Sequence, residues 1–219
     1  MFVHPWDAAL DEAEWRAWIA DGHDFGQLCV NGSPGHPPTV VPTHFAVDGD
    51  HLLVHLARPN PACEAIERDP HVVLAVVGDH AFVPGPWRAG PDTPPRDGVP
   101  TSYYAAVQFT CRARLVDDPE GKAELLRRQL DHFQPDGDHA PVAVGLPPYG
   151  RMLSGIRGLR LEVVDVRAKF KYDDEEPVAL RSAAAGRLTA RGQGLDLAAA
   201  DQQLRRLDRI GTWRPRPAP

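Results

Sequence analysis

The alternation of apolar and polar positions predicts a mainly β chain with helices set between the strands. Alternating or continuous apolar runs bounded by turn residues are typical of strands, and apolar positions three or four residues apart are typical of helices. We predict strands at Phe25–Val30, Thr39–Val47, His51–Ala57, His71–Val77, Tyr103–Val116 and Gly158–Tyr172. We predict helices at Asp7–Asp21 with Asp7 as its cap, Pro61–Arg68, Pro119 to about Phe133, Tyr149–Ile156 and Leu195–Ile210.

Antiparallel strand pairs with inserted helices predict a small β-barrel with peripheral helices, an α+β arrangement. No Gly-x-Gly-x-x-Gly motif follows a strand, which argues against a Rossmann fold. Residues 83–102 hold six prolines and no periodic pattern, and they predict a long functional or disordered loop. We assign residues 1–175 to the barrel domain and residues 176–219 to an extension with one helix and a disordered, Arg- and Pro-rich end.

Composition limits the possible partners and location. The net charge is −6 and Arg is dense only in the short C-terminal tail, so we do not expect direct nucleic-acid binding. No apolar run approaches the ~20 residues of a membrane helix, and the first residues lack the basic and apolar regions of a secretory signal. The cysteines Cys29, Cys63 and Cys111 have no paired spacing. These features predict a cytoplasmic protein with neither a disulfide framework nor a membrane partner.

Two histidines flank the clearest predicted hairpin. Asp48-Gly49 is a favoured two-residue type I′ turn, and this turn pairs His44 with Leu53. His44 and His55 then lie diagonally on one face of the sheet, within reach of a shared ligand. The alternative is that each imidazole makes only structural hydrogen bonds at a barrel rim.

Other catalytic and metal-binding patterns are weak. His51 and His55 have His-x-x-x-His spacing, but on a strand they stand roughly 13 Å apart, too far to share an ion. There is no His-x-His or Cys-x-x-Cys pair and no Gly-x-Ser-x-Gly elbow. We therefore predict no metal site and name no catalytic nucleophile.

A phosphate site is a stronger possibility. Arg58-Pro59-Asn60-Pro61 follows a strand and precedes a helix, whose free backbone N–H groups and dipole would favour an anion. The alternative is a simple Asn-Pro helix start. Lys169 and Lys171 share one face of the last strand and could add positive charge, although the alternative is a solvated strand end.

Five short blocks occur in order within residues 1–172. They are Pro42-Thr43-His44, the segment His55-Leu56-Ala57-Arg58-Pro59-Asn60-Pro61, His80-Ala81-Phe82 with Trp87, Val99-Pro100-Thr101 with Tyr104 and Val107, and Gly155-Ile156-x-Gly158 followed by Lys169 and Lys171. Each block alone is weak, but the ordered set resembles the PaiB-type FMN-binding family, once described as negative transcriptional regulators.

The resemblance implies an FMN-binding split β-barrel of the pyridoxamine-phosphate-oxidase-like type. It also implies a homodimer with two FMN sites at its interface, where Pro100 and Thr101 approach from the neighbouring subunit. The FMN-binding residues that it implies are Pro42, Thr43, His44, His55, Leu56, Ala57, Arg58, Asn60, Pro61, Trp87, Pro100, Thr101, Tyr104 and Lys171. By placement alone, His44, His55 and Tyr104 are the first candidates for a catalytic acid or base.

The sequence departs from the family pattern at three places. Gln108 replaces a usual His, Pro84-Gly85-Pro86 replaces a Ser-rich segment, and Tyr172-Asp173-Asp174-Glu175 replaces a Leu-Ser-Gln-Asn tendency. The first two changes remove an imidazole and several hydroxyl groups. The acidic run would repel a phosphate if it faced one.

These features leave several functions open. The first is a flavin-dependent oxidoreductase on a small molecule, in which FMN brings the redox chemistry and the protein binds and orients it. The second is a non-catalytic flavin-binding regulator of the PaiB type, acting indirectly. A haem-binding or haem-degrading barrel, and a barrel that has lost its cofactor, are further alternatives. The sequence identifies neither the substrate nor the electron donor.

Overall fold

The computed structural model describes residues 1–210. Strands β1 to β7 form one antiparallel sheet in the order β2-β1-β5-β6-β7-β4-β3. In chain order they are Phe25–Val30, Thr39–His44, Ala46–Asp48, His51–Ala57, His71–Val83, Thr101–Val116 and Ile156–Lys171. Helices α1 to α6 are Glu12–Ala20, Pro61–Arg68, Pro119–Phe133, Tyr149–Met152, Val178–Arg191 and Asp196–Ile210. Short 3-10 turns lie at Gly85–Trp87, Pro95–Asp97 and Leu153–Gly155.

Most predicted elements are present, with several corrections. The predicted helix Tyr149–Ile156 ends at Met152, and the strand predicted at His71–Val77 continues to Val83. Asp7 does not cap the first helix. The cap is Asp11, which accepts a hydrogen bond from Glu14 N at 2.8 Å, and the helix begins at Glu12. The predicted strand Thr39–Val47 is broken at the buried Phe45 into β2 and β3. The Ala-rich segment before α6 forms helix α5, which we did not predict. The predicted disorder at the C-terminal end lies outside the described residues.

The predicted hairpin register is wrong. Asp48 pairs with His51, so the turn residues are Gly49 and Asp50 rather than Asp48 and Gly49. Gly49 supplies the positive φ of 60° that the turn requires. In addition, β2 pairs with β1 whereas β3 pairs with β4, which places β2 and β3 at opposite ends of the strand order. His44 therefore does not sit diagonally to His55 on one hairpin.

The chain divides into two compact units. The internal unit contains residues 22–76 and 108–166, and the terminal unit contains residues 1–21, 77–107 and those from 167 onward. Strands β5, β6 and β7 contribute residues to both units. Within β5, the buried positions change from even to odd numbers at Asp79, a residue with a positive φ of 48°. This change of parity, typical of a β-bulge, lets one strand bury a different set of side chains in each unit.

In the internal unit, helix α3 covers apolar strand residues. Leu125 of α3 packs with Ala46 and Leu53, and a second cluster joins Ala123, Val142 and Leu153. Asp118 caps α3 by accepting from Gly121 N at 2.6 Å. Helix α2 packs against β1 and β2.

In the terminal unit, α5 and α6 pack on each other and cover aromatic strand residues. Tyr103 and Tyr172 are fully buried, with ring centroids 5.7 Å apart, and Trp18 meets Phe170 edge-on. Residues of the predicted C-terminal extension thus form part of a packed core. None of the helices in residues 1–210 has the length and apolarity needed to cross a membrane. All three cysteines are free thiols.

Candidate functional site

The Arg58 side chain lies at the junction of β4 and α2 in the internal unit. Its backbone N–H donates to Gly155 O at 2.8 Å, and its Nε donates to Ser154 O at 2.7 Å. The side chain is still 47% exposed. The residue is therefore anchored on one side while part of its guanidinium faces solvent.

The first amides of α2 are not free, which corrects one of our expectations. Asn60 caps the helix, accepting from Ala62 N through Oδ1 at 3.0 Å and from Cys63 N through its carbonyl at 3.0 Å. Pro61 has no N–H group. The Asn-Pro segment is thus a capped helix start, and the anion donor at this junction is the Arg58 side chain rather than the helix amides.

Nearby carboxylates do not neutralise Arg58 completely. Asp117 accepts two hydrogen bonds from Arg157, which hold the pKa of this carboxyl below its ordinary value, and it lies 3.8 Å from Arg58. Arg157 also pairs with Glu67 at 2.7 Å. Because Arg157 engages both carboxylates closely, Arg58 keeps donor groups for an outside anion.

His55 stands on β4, three residues before Arg58. It is exposed, and its Nδ1 lies 2.7 Å from Oε1 of the buried Gln129 on α3. Leu56 of the same strand is buried, whereas Ala57 and Pro61 are exposed. The predicted residues from His55 to Pro61 thus lie along the end of β4 and the start of α2.

The other predicted histidine belongs to a separate polar cluster on β2. His44 Nδ1 is 3.7 Å from Asp24 Oδ1, and His132 Nε2 is 2.8 Å from the other oxygen of the same carboxylate. The His44 ring also meets Phe25 and Phe133 edge-on, at centroid distances of 4.8 and 5.2 Å. The preceding residues of the block, Pro42 and Thr43, are exposed and half-buried.

The remaining predicted residues lie in the terminal unit. Lys171 Nζ contacts Thr101 Oγ1 and donates to Ser102 O at 3.0 Å. Tyr104 lies under the Lys169 ammonium, whose Nζ is 5.6 Å from the ring centroid. Trp87 faces the Arg191 guanidinium at 4.9 Å from its ring centroid, and Pro100 is exposed. The lysine that we predicted as a ligand is therefore within reach of the predicted Thr101.

The acidic run after β7 points into the terminal unit, where arginines balance it. Asp173 accepts from Arg88 Nε at 2.7 Å and from the Tyr103 hydroxyl at 2.9 Å. Asp174 accepts from Arg206 Nε at 2.6 Å and also from Arg181. Burial raises the pKa of Asp174, while these two guanidiniums act in the opposite direction. The run is thus a paired structural element, and its two buried carboxylates are engaged with guanidiniums.

The Pro-Gly-Pro departure also has a structural cause. A Cβ atom built on Gly85 would lie 2.2 Å from the Gly98 carbonyl oxygen, and one built on Gly98 would lie 2.0 Å from the Gly85 carbonyl oxygen. The two ends of the Pro-rich loop therefore approach so closely that neither position has room for a serine side chain.

Sequence reasoning missed the partners that hold these residues. Ser154, Arg157 and Gln129 are far from Arg58 and His55 along the chain, and only folding brings them together. A signal existed for Gln129, a polar residue four positions after Leu125 on the apolar stripe of α3. Arg157 is the unspecified position of the Gly155-Ile156-x-Gly158 block and Ser154 directly precedes it, so the block marks the segment but not these two residues.

The seven-stranded antiparallel sheet with its helices confirms the predicted α+β fold class. A family model described as "Putative FMN-binding domain" matches residues 1–165. The chain belongs to this family, and FMN is its cofactor.

Solved structures support the same fold. The flavocytochrome Anf3 from Azotobacter vinelandii is 20% identical, with 78% of this chain and 76% of that chain covered and a TM-score of 0.58. The FAD and heme binding protein from Mycobacterium smegmatis is 14% identical, with 81% and 80% covered and a TM-score of 0.59. At these identities the likeness is one of fold. No curated protein matches the chain.

The residues of the internal unit fit an FMN phosphate. A phosphate dianion is best bound by a guanidinium with two N–H groups available. Arg58 is the half-exposed guanidinium at the end of β4. Within residues 1–210, its Nη1 makes no hydrogen bond. The acidic residue nearest to it is bound by Arg157. The donor set thus suits an anion at this junction.

Proposed function

We propose that this chain is an FMN-dependent oxidoreductase acting on a small molecule, and that it works as a homodimer of the PaiB type. In this proposal Arg58 binds the FMN phosphate. The segments around Thr43 and His55 line the flavin. Thr101 of the terminal unit contributes from the neighbouring subunit, as the family resemblance implies, and Lys171 is a further FMN-binding residue.

The observation that carries the proposal is the state of Arg58. The guanidinium is fixed through Nε to Ser154 O at 2.7 Å, yet 47% of the side chain is open to solvent. Fixing the side chain before binding lowers the entropy that a ligand must overcome. An arginine held in this way, whose nearby carboxylate Asp117 is itself bound by Arg157, is suited to a bidentate contact with phosphate.

When bound, FMN supplies the exchange of electrons or hydride with the substrate. The chain's own residues hold and orient it. Arg58 fixes the phosphate end. His55, which is exposed and lies only three residues away on β4, is the polar side chain placed to meet another part of the ligand.

Three features support a flavin-binding redox protein that does not contact DNA. The net charge is −6, which opposes binding to a polyanion. The two proteins of similar fold, a flavocytochrome and an FAD and heme binding protein, are both named for redox cofactors. Asp173 and Asp174, the two buried carboxylates of the acidic run, are paired with arginines, so they do not stand against a phosphate.

The experiment begins with titration of the purified protein with FMN, followed by fluorescence and the visible spectrum. We expect saturable binding at one FMN per chain, and reduction of the bound flavin by NADH or NADPH under anaerobic conditions. A Soret band without flavin peaks would favour haem, and bound FMN that no nicotinamide reduces would favour the regulator. Failure to bind FMN would end the proposal.

Arg58→Gln tests the phosphate contact. Loss of a charge-assisted hydrogen bond is expected to weaken FMN binding about 10- to 100-fold. The matched control is Arg68→Gln, at the exposed last turn of α2, which should leave FMN affinity unchanged. Equal affinity of the Arg58→Gln variant and the wild type would contradict the proposed phosphate site.

The dimer is tested by light scattering of the protein with and without FMN. We expect a mass of two chains, and a monomer that binds FMN fully would contradict this part of the proposal.

A further inference from the structure

The buried amide of Gln129 connects α3 to β4 through two hydrogen bonds. Its Nε2 donates to the Leu53 carbonyl at 3.0 Å, and its Oε1 lies 2.7 Å from His55 Nδ1. Gln129 is only 4% exposed. It therefore cannot exchange these partners for water without moving.

These contacts determine where the His55 proton is. A backbone carbonyl only accepts hydrogen bonds, so the Gln129 amide nitrogen must face Leu53. The opposite orientation would bring two oxygen acceptors together in a buried place, which is unfavourable. The Gln129 oxygen then faces His55, and because that oxygen also only accepts, Nδ1 must carry the proton.

The other ring nitrogen is consequently left as an acceptor. In a neutral imidazole only one nitrogen is protonated, so Nε2 of His55 keeps its lone pair. Within residues 1–210, the hydrogen bond of this ring is the one through Nδ1 to Gln129. The side chain is exposed. Nε2 is thus available to a group that donates a hydrogen bond.

We propose that Gln129 is a positioning residue that holds His55 in the Nδ1–H form, so that Nε2 accepts from a hydroxyl or N–H group of the bound ligand. This inference rests on the proposed function, because it places His55 at the FMN site. It assigns different parts of the ligand to Arg58 and His55. Arg58 takes the phosphate, and His55 takes a donor group on the ribityl chain or the ring rather than the phosphate oxygens.

The first test uses the protein without ligand. Long-range ¹⁵N–¹H correlation spectra separate protonated from unprotonated ring nitrogens, and a His55→Phe variant identifies the His55 signals among the ten histidines. We expect the wild type to carry its proton on Nδ1. Gln129→Met, of similar volume, should lose this preference, and Gln134→Met at the exposed end of α3 should keep it.

A wild-type spectrum with the proton on Nε2 would overturn the inference, even if the Gln129→Met variant does not fold. A Gln129→Met protein that folds and keeps the Nδ1–H form would overturn it as well.

The second test compares FMN with riboflavin, which lacks the phosphate. Gln129→Met should weaken binding of both flavins by the same factor, about 2- to 10-fold for one neutral hydrogen bond. Arg58→Gln should weaken FMN binding alone. A Gln129→Met effect on FMN but not on riboflavin would show that His55 serves the phosphate, and would overturn the division of roles.

The two tests also separate this inference from the proposed function. If the wild type binds neither flavin, the proposed function fails and the ligand contact of His55 fails with it. The spectrum of the ligand-free protein still decides whether Gln129 sets the form of the imidazole.

Discussion

The two compact units treat their charged residues in opposite ways. In the terminal unit, Arg206 is 1% exposed and pairs with Asp174 and Glu14, which are themselves buried. In the internal unit, Arg58 is 47% exposed and its nearest carboxylate is 3.8 Å away. A buried ion must be paired, because taking a charge out of water is costly. An exposed one is free to meet a ligand.

The difference follows from which segments supply the partners. Helices α5 and α6 bring Arg181 and Arg206 onto the acidic residues that follow β7. These helices lie beyond residue 165, where the family match ends. The internal unit has no such addition. Most of its charges are arranged by local caps and surface pairs, and its buried Lys122 donates to the Leu153 carbonyl. The buried charges of the terminal unit are therefore structural, whereas the exposed guanidinium of Arg58 is the one that we propose for binding.

The largest effect is expected when the buried network is broken. Arg206→Met leaves Arg181 as the guanidinium paired with Asp174 and Arg205 as the one paired with Glu14. Removing one partner from a buried ion pair should lower the free energy of unfolding by about 3–5 kcal/mol. Denaturant titration measures this loss.

Arg187→Met is the matched control, because Arg187 is an exposed arginine on α5. It should change stability by no more than about 0.5 kcal/mol. An equal loss in the two variants would mean that the buried network is not special, and the contrast between the units would fail.

A smaller loss is expected where the Pro-rich loop closes on itself in the terminal unit. Gly85→Ala places a Cβ 2.2 Å from the Gly98 carbonyl oxygen, so the backbone must shift. Overpacking of this kind should cost about 1–3 kcal/mol, measured by thermal and denaturant unfolding.

The control for the loop is Gly186→Ala on α5. No atom lies within 4 Å of a Cβ at this position, and the glycine is exposed in a helix. Replacing it should raise stability by about 0.5–1 kcal/mol. Opposite changes in stability for the two variants would establish that the loop requires glycine because its backbone segments approach closely, and not because every glycine in the chain stabilises it.

Much of the fold could be predicted from local pattern. Strands β1 and β4 and helices α2 and α3 begin and end at the predicted residues, because strong turn or capping residues border them. The hairpin register was wrong because either Asp48-Gly49 or Gly49-Asp50 can form the turn, and nothing local distinguishes them. Helix α5 was missed because its Ala-, Gly- and Arg-rich sequence has no clear apolar stripe.

The candidate site was predictable only in part. The residues from His55 to Pro61 are contiguous, so their proximity follows from the sequence. The partners Gln129 and Ser154 come from other elements, and their contacts depend on tertiary packing. The pairing of Asp173 and Asp174 was equally hidden, because the arginines that neutralise them stand as far away as Arg88 and Arg206.

In the internal unit, a local cap should matter less than the buried network of the terminal unit. Asp118→Ala removes the acceptor for Gly121 N at the start of α3 and should cost about 1 kcal/mol in denaturant unfolding. Asp131→Ala, at an exposed position on the same helix, should be neutral or slightly stabilising because Ala has the higher helix propensity. A loss of stability in Asp118→Ala comparable with that of Arg206→Met would contradict the view that this unit depends on local interactions that each contribute little.

The smallest effect concerns an exposed carboxylate of the internal unit in acid. Asp69 accepts from His71 N at 3.0 Å and from Asn31 Nδ2 at 2.8 Å. The hydrogen bond from the His71 backbone, followed by that from Asn31, lowers the pKa of Asp69 from 3.8 to about 2. A carboxyl whose pKa is lower in the folded state stabilises the protein above its unfolded pKa, and loses this effect as the pH falls through its folded pKa.

Asp69→Asn should therefore be less stable than the wild type at about pH 5, and the difference should shrink between about pH 4 and pH 2. Asn31→Ala, which removes one of the donors, should show the same acid dependence with a smaller amplitude. Denaturant midpoints across this range measure both variants. A difference that persists unchanged at pH 2 would mean that Asp69 acts through packing rather than charge, and exposed charge in this unit would then have a structural role of its own.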